Sequence, residues 1–178
     1  MTGAAIVICA PRVARAHPAR MPNSAIRPMP SSTAGTVRVH PGKAESMSKN
    51  VNAVKAIYDA FGKGDVPAIL SRLAPDVEWE HDWGGETLGW YEPRRGRDAV
   101  PAFFGTLADF EFARFEPFAY LEGDNMVAVP VRLELVVKAS GKRIRDLEMH
   151  LWTFRVDGQV AKFRHLVDTL QFSTATRP

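Results

Sequence analysis

The sequence predicts an α+β domain: a cone-shaped, curved and mostly antiparallel sheet covered by three N-terminal helices. Three observations lead there. Helical spacing of apolar residues is confined mainly to the part before Phe110, while strict alternation dominates from Phe110 to Asp168. Those later strands are joined by short turns, so antiparallel neighbours need no crossover. Within LEMHLWTFRVDGQVAKFRHLVD, residues 147–168, Asp157-Gly158 separates two alternating runs. Asp-Gly there predicts a hairpin closed by a type I′ turn, which needs positive φ at both central residues.

The elements follow in order. Val51, Val54, Ile57, Tyr58 and Phe61 recur at three- and four-residue spacing and predict a helix ending at Gly62–Gly64. Asp65 is placed to cap a second short helix, with Pro67 in its first turn and Ile69, Leu70 and Leu73 on its apolar side. Ala74-Pro75 stops it. DVEWEHD, 76–82, alternates, with Val77, Trp79 and His81 on one face and Glu78, Glu80 and Asp82 on the other. Residues 83–96 form a glycine-rich loop with Trp83, Trp90 and Tyr91, either a lid over a pocket or a surface loop pinned by its aromatics. A third helix is expected over 97–108, with Val100, Phe103, Phe104 and Leu107 inward. A Phe-rich strand over 110–120 loses its alternation at Arg114–Phe115, which predicts a bulge. A turn at 122–125 leads to a strand over 126–138, whose inward residues include Val131, Leu133 and Leu135.

At 178 residues the chain is long enough for one domain with a sizeable core. Its single cysteine excludes an intrachain disulfide framework. No apolar run reaches membrane-spanning length, and a cytoplasmic location is expected. The net charge of +3 is unevenly placed. Residues 1–46 carry six Lys/Arg, six of the thirteen prolines and one acid, which leaves residues 47–178 mildly acidic. A nucleic-acid partner would need a basic stripe on the domain itself, so none is expected. Residues 1–46 are expected to be a disordered leader, a targeting segment or sequence upstream of a true start at Met47. The domain is expected over 47–178.

Three histidines fall on apolar faces. His165 shares a face with Ala161, Phe163 and Val167, and His81 with Val77 and Trp79. On the strand 147–154 both faces look buryable, so alternation alone leaves the inward face open. A histidine there is often a satisfied core residue, but three near one another point to proton transfer, because imidazole titrates near neutral pH. Three imidazoles could also hold a zinc ion, yet no HxH or HExxH spacing is present, and neither metal nor cofactor is expected.

The runs YDAFGKGDVPAILSRLAPDVEW, PRRGRDAVPAFF and DGQVAKFRHLVDT resemble the SnoaL-like polyketide cyclase and ketosteroid isomerase group, within the nuclear transport factor 2-like fold. That resemblance implies a pocket at the mouth of the cone, an isomerase or cyclase activity and a homodimer. It sets His81 and His150 where the isomerase keeps its two catalytic aspartates, and Ile57, beside Tyr58, where it keeps a tyrosine. His165 falls where an epoxide hydrolase of this fold keeps a catalytic aspartate, and Asp168 matches a structural aspartate of that motif. It also selects Glu148, His150 and Trp152 as the inward face of their strand.

The expectation is therefore a small enzyme that isomerises or cyclises an apolar, cyclic carbonyl compound by acid–base chemistry. His81, His150 and His165 are its candidate catalytic residues. Trp79, Phe104, Leu133, Glu148, Trp152, Phe163 and Val167 are its candidate substrate contacts. The alternative is a non-catalytic ligand-binding or dimerisation module of the same fold.

Overall fold

The computed structural model describes residues 41–81 and 88–177; residues 1–40, 82–87 and 178 lie outside the described residues. The first helix, α1, is Pro41–Gly62 and starts six residues before Met47. Its apolar stripe buries Val54, Ile57 and Tyr58. Helix α2, Val66–Leu70, is capped by Asp65, whose carboxylate accepts the Ala68 N–H at 3.0 Å. That contact satisfies one of the donors a helix start leaves bare.

Strand β1 is Leu73–Trp79, shifted three residues toward the N-terminus of the expected run. A two-residue strand β2, Arg94–Arg95, pairs with its end. The expected third helix is broken into a 3-10 turn at Arg97–Ala99, helix α3 at Pro101–Thr106 and another 3-10 turn at Leu107–Asp109. Pro101 supplies no N–H for a longer ladder, so the α-helix starts at the proline.

Strands β3 (Phe110–Pro117), β4 (Leu121–Gly123), β5 (Met126–Val137), β6 (Arg143–Phe154) and β7 (Val160–Leu166) follow. The sheet order is β2-β1-β7-β6-β5-β3, with β4 beside β5. All pairs are antiparallel except β1 with β7. That parallel pair joins the start and end of the domain and is invisible to local pattern. The bulge of β3 lies at Ala113, since Phe112 pairs with Leu135 and Arg114 with Glu134. The extra residue turns Phe115 to the same side as Phe110 and Phe112, and all three reach the cavity.

The hairpin between β6 and β7 forms, but not through a type I′ turn. Gly158 N–H donates to the Arg155 carbonyl at 3.0 Å, and positive φ falls on Gly158, not on Asp157. A bulge at Ala161 restores the pairing, so Val160, Phe163 and His165 face inward. An eight-residue helix, α4 (Thr169–Thr176), closes the described chain. Asp168 caps it by accepting the Gln171 N–H at 3.0 Å, and Phe172 anchors it in the core. Its Ser/Thr-rich sequence carries little helical signal, which is why periodicity overlooks it. None of the described helices is long and apolar enough to cross a membrane.

Candidate active site

The concave face of the sheet and helices α1 and α3 enclose a cavity of about 80 Å³. That is well above the ~10–15 Å³ a single water requires. Trp79, Phe104, Leu133, Glu148, His150, Trp152, Phe163 and His165 line it. Two of the residues assigned from sequence do not. Val167 lies just past the end of β7 and packs, half-buried, against the core. His81 lines a separate surface pocket with Glu78, Pro93, Arg94 and Arg95.

The displacement of His81 has a backbone cause. β1 ends at Trp79, and Glu80 takes a left-handed conformation with φ +54°. A non-glycine residue there costs roughly 1–2 kcal/mol. The kink breaks the alternation and carries Glu80, not His81, into the interior, where it is fully buried. Glu80 N–H stays tied to the Phe163 carbonyl at 2.9 Å. The His81 carbonyl accepts from Arg164 Nη1 at 3.3 Å.

His150 and His165 are direct cross-strand partners on β6 and β7, with ring centroids 5.8 Å apart. Each meets a buried carboxylate, in different ways. His165 Nδ1–H donates to Glu80 Oε1, and the His165 backbone N–H reaches Glu80 Oε2 at 3.4 Å. Tyr91 stacks on the imidazole at 4.6 Å and 13°, which fixes the ring plane. Nε2 has no hydrogen bond among the described residues. Burial pulls the His165 pKa down, but the charge and hydrogen bond of Glu80, with the charge of Glu148, outweigh it and hold it above its ordinary value.

His150 sits in a closed chain. Trp152 Nε1–H donates to Tyr58 Oη at 3.0 Å, and Tyr58 O–H donates to His150 Nδ1 at 3.0 Å. His150 Nε2–H then donates to Glu148 Oε2 at 3.3 Å. This tautomer satisfies every member, whereas a protonated His150 would strand the Tyr58 hydrogen. Burial lowers the His150 pKa, and Glu148 only partly offsets it, so the ring stays neutral. Burial also drives the Tyr58 pKa far up, keeping the phenol protonated. Glu148 and His150, two apart on one strand, are in direct contact, closer than strand geometry alone led one to expect.

Sequence reasoning placed the isomerase-like tyrosine at Ile57; Tyr58 is the residue that bonds His150. Its place on the buried stripe of α1 was the available signal. For Glu80 there was none, because alternation pointed it outward. Trp90 and Tyr91, in a 3-10 turn at Gly89–Tyr91, are buried, Trp90 at the cavity and Tyr91 against the His165 ring, so this part of the loop is pinned by its aromatics. The rest of the 83–96 loop read as a lid or a surface loop, residues 83–87, lies outside the described residues. Among the described residues, no group of three His, Cys, Asp or Glu is placed to hold a metal ion.

The family model for the SnoaL-like domain matches residues 54–163. The chain belongs to the SnoaL-like family. A nuclear transport factor 2-like protein from Burkholderia xenovorans LB400 is 27% identical over 74% of this chain and 98% of its own, with a TM-score of 0.65. TerC, co-crystallised with polyporic acid, is 26% identical over 71% of this chain and 97% of its own, with a TM-score of 0.61. A proposed polyketide cyclase from Xanthomonas campestris pv. campestris shares the fold at 20% identity, over 74% of this chain and 99% of its own, with a TM-score of 0.58. No curated protein matched the chain. The fold is therefore nuclear transport factor 2-like, and the expected α+β cone stands.

Proposed function

We propose that this SnoaL-like protein is an enzyme that isomerises or cyclises a small carbonyl compound, with His165 as its general base. The observation that carries this is the uncommitted Nε2 of His165 beside a cavity whose other imidazole is fully engaged. Glu80 holds the Nδ1–H tautomer, which turns the Nε2 lone pair outward from the pair. Nε2 takes a proton from the carbon next to a carbonyl, and the electron pair moves onto the carbonyl oxygen as an enolate. Returning the proton at another carbon completes an isomerisation. Attack of the enolate carbon on a second carbonyl, whose oxygen then takes the proton back from Nε2, completes a cyclisation. Glu80 stabilises the imidazolium in between, and the apolar walls keep water from competing. The co-crystal of TerC with polyporic acid supports a small organic occupant. His150 supports the site by position, and no role in proton transfer is assigned to His81.

The test is hydrogen–deuterium exchange in D₂O, followed by NMR, at carbons next to the carbonyl of a panel of small cyclic ketones. The protein is expected to accelerate exchange for at least one, and His165→Gln to lose that acceleration. Binding without exchange across the panel would favour the non-catalytic ligand-binding module instead.

We also propose a homodimer through the outer face of the sheet. Leu147 is 64% exposed, Leu166 45% and Met126 39%, and they lie on the face opposite the cavity. Met149 and Leu166 are direct partners there, as are Arg132 and Leu147. Such an exposed apolar strip calls for cover. Sedimentation at micromolar concentration should give a dimer, and Leu147→Glu should give monomer with the fold intact; a monomeric parent protein would remove the proposal.

A further inference from the structure

The turn at Gly89–Tyr91 sends its two aromatics to different places. Trp90 packs on Phe110 at 5.0 Å and Phe172 at 5.5 Å. Tyr91, only 1% exposed, lies parallel to the His165 imidazole at 4.6 Å and 13°. Three other rings meet that imidazole. Phe163 is near-parallel but farther off, at 5.8 Å and 19°, while Phe103 at 5.9 Å and His150 at 5.8 Å meet it edge-on. Of these four, Tyr91 alone combines a parallel face with close approach.

The backbone on either side of Tyr91 is tied down. Tyr91 N–H donates to the Leu88 carbonyl at 2.7 Å. Arg94 Nη1 donates to the Trp90 carbonyl at 3.4 Å and to the Glu92 carbonyl at 2.7 Å, one before Tyr91 and one after it. Its guanidinium is largely buried, and a guanidinium nitrogen presents its two N–H groups in one fixed plane, which an ammonium does not. Arg94 pairs with Trp79 across β2 and β1, one residue from the Glu80 that bonds His165. One strand pair therefore holds both the carboxylate and the clamp on the stacked ring.

The bond from Nδ1 to Glu80 leaves the imidazole free to tilt, because the torsion between its ring and Cβ is broad. A parallel ring against it removes that freedom. The face of a tyrosine ring carries the negative part of its quadrupole and so favours an imidazolium over an imidazole. Burial drives the Tyr91 phenol far above its ordinary range, so it stays neutral and exchanges no proton itself. The charged and titratable groups around the stack are Glu80 at the end of β1, Glu148 and His150 on β6, and Arg164 on β7, with Asp146 acting on Tyr91. The Arg164 guanidinium stands over the same Tyr91 ring at 5.8 Å, farther from it than the imidazole.

We propose that Tyr91, clamped by Arg94, is a positioning residue for His165: its ring face holds the imidazole plane and receives the imidazolium formed when Nε2 takes a proton. This deepens the acid–base reading and rests on it for the proton transfer; the hold on the ring rests on the stack.

The test combines histidine NMR with ketone exchange. Full-length protein labelled at histidine is titrated with acid and base, the His165 signals being those absent from His165→Gln. Exchange of the cyclic ketone panel is measured over the same pH range. In the unaltered protein the carbon-bound ring protons of His165 should lie upfield, from the ring current of Tyr91. Tyr91→Leu should remove that displacement and lower the His165 titration midpoint by about half a pH unit or more. It should also lower the maximal exchange rate about tenfold, with half-saturating ketone unchanged. Tyr91→Phe keeps the ring and should restore all three. An unmoved midpoint in folded Tyr91→Leu, or a Tyr91→Phe that behaves like it, would overturn the proposal. If Tyr91→Leu does not fold, Arg94→Lys decides: the upfield displacement and the midpoint should fall together, and a fall in only one or in neither would overturn the proposal. A midpoint that moves as stated in a protein that exchanges no ketone would overturn the acid–base reading and leave the hold of Tyr91 on the ring standing. Ketone exchange that needs His165, with an unmoved midpoint, would do the reverse.

Discussion

Glu80–His165 and Glu148–His150 are both buried carboxylate–imidazole pairs, side by side on one sheet, yet their pKa values move in opposite directions. Burial acts on both alike. At His165 the charge and hydrogen bond of Glu80, with the charge of Glu148, outweigh burial, whereas at His150 Glu148 offsets burial only in part and the charge of His165 adds to the lowering. The far nitrogens differ as well. In the His150 pair, Nδ1 is already occupied by the Tyr58 hydroxyl, so a second proton would cost a hydrogen bond as well as desolvation. In the His165 pair, Glu80 bonds Nδ1 and the backbone N–H together, and no described residue bonds Nε2. A closed network holds its ring neutral and still. An open one leaves a ring that can take and return a proton. Proximity to a carboxylate does not by itself make a base; the state of the second nitrogen decides.

The sharpest way to break this contrast is to exchange each ring for glutamine. His165→Gln should reduce catalysed exchange by about 100-fold or more, the range for losing a general base. His150→Gln should keep the rate within about tenfold, because its Nε2 is not aimed at substrate. Equal losses in exchange rate would show that the two rings act as one unit. Next in size is Tyr58→Phe. It leaves the Trp152 N–H and the His150 Nδ1 buried without partners, at about 1–3 kcal/mol each. Chemical denaturation should register a loss of about 2–6 kcal/mol, while the catalysed exchange rate on folded protein changes little. A near-neutral result would mean the chain is not a closed network.

Glu80→Gln probes the open pair. It removes the charge that holds the His165 pKa up and leaves burial, which pulls it down. A base must be unprotonated, so exchange rises with pH through that pKa. The rising limb of the pH–rate profile should therefore move to lower pH in the variant, with a smaller maximal rate from the weaker base. A limb that stays put would detach Glu80 from His165.

Local pattern reached most of the fold because each strand buries one face and each helix one stripe. Alternation alone put Phe163 and His165 inward, and the capping residue Asp65 marked α2. What escaped depended on contacts between distant residues. The parallel pairing of β1 with β7 has no local signature. Glu80 and His81 exchanged roles because one residue adopts positive φ, and in that conformation Glu80 bonds the Phe163 carbonyl and His165 on a distant strand. Phe115 entered the cavity through a bulge one residue earlier than the pattern implied. The candidate site was thus half legible: the strand histidines were visible, and the carboxylate that distinguishes one from the other was not.

The smallest effect tests the same contrast through stability. The His165 pKa lies above its ordinary 6.5 when folded, so above that pH the folded state holds more protons than the unfolded one. Stability from His165 is complete below pH 6.5 and is lost as pH rises through the folded pKa. His150 is depressed, so its contribution is present above 6.5 and lost as pH falls through its lower folded pKa. The two slopes oppose one another and give a stability maximum near neutrality. His165→Gln should flatten the alkaline fall, and His150→Gln the acid one, in melting temperatures measured across that range. If both variants changed the same limb, the two rings would be titrating as one coupled pair, and the division between a closed and an open network would have to be abandoned.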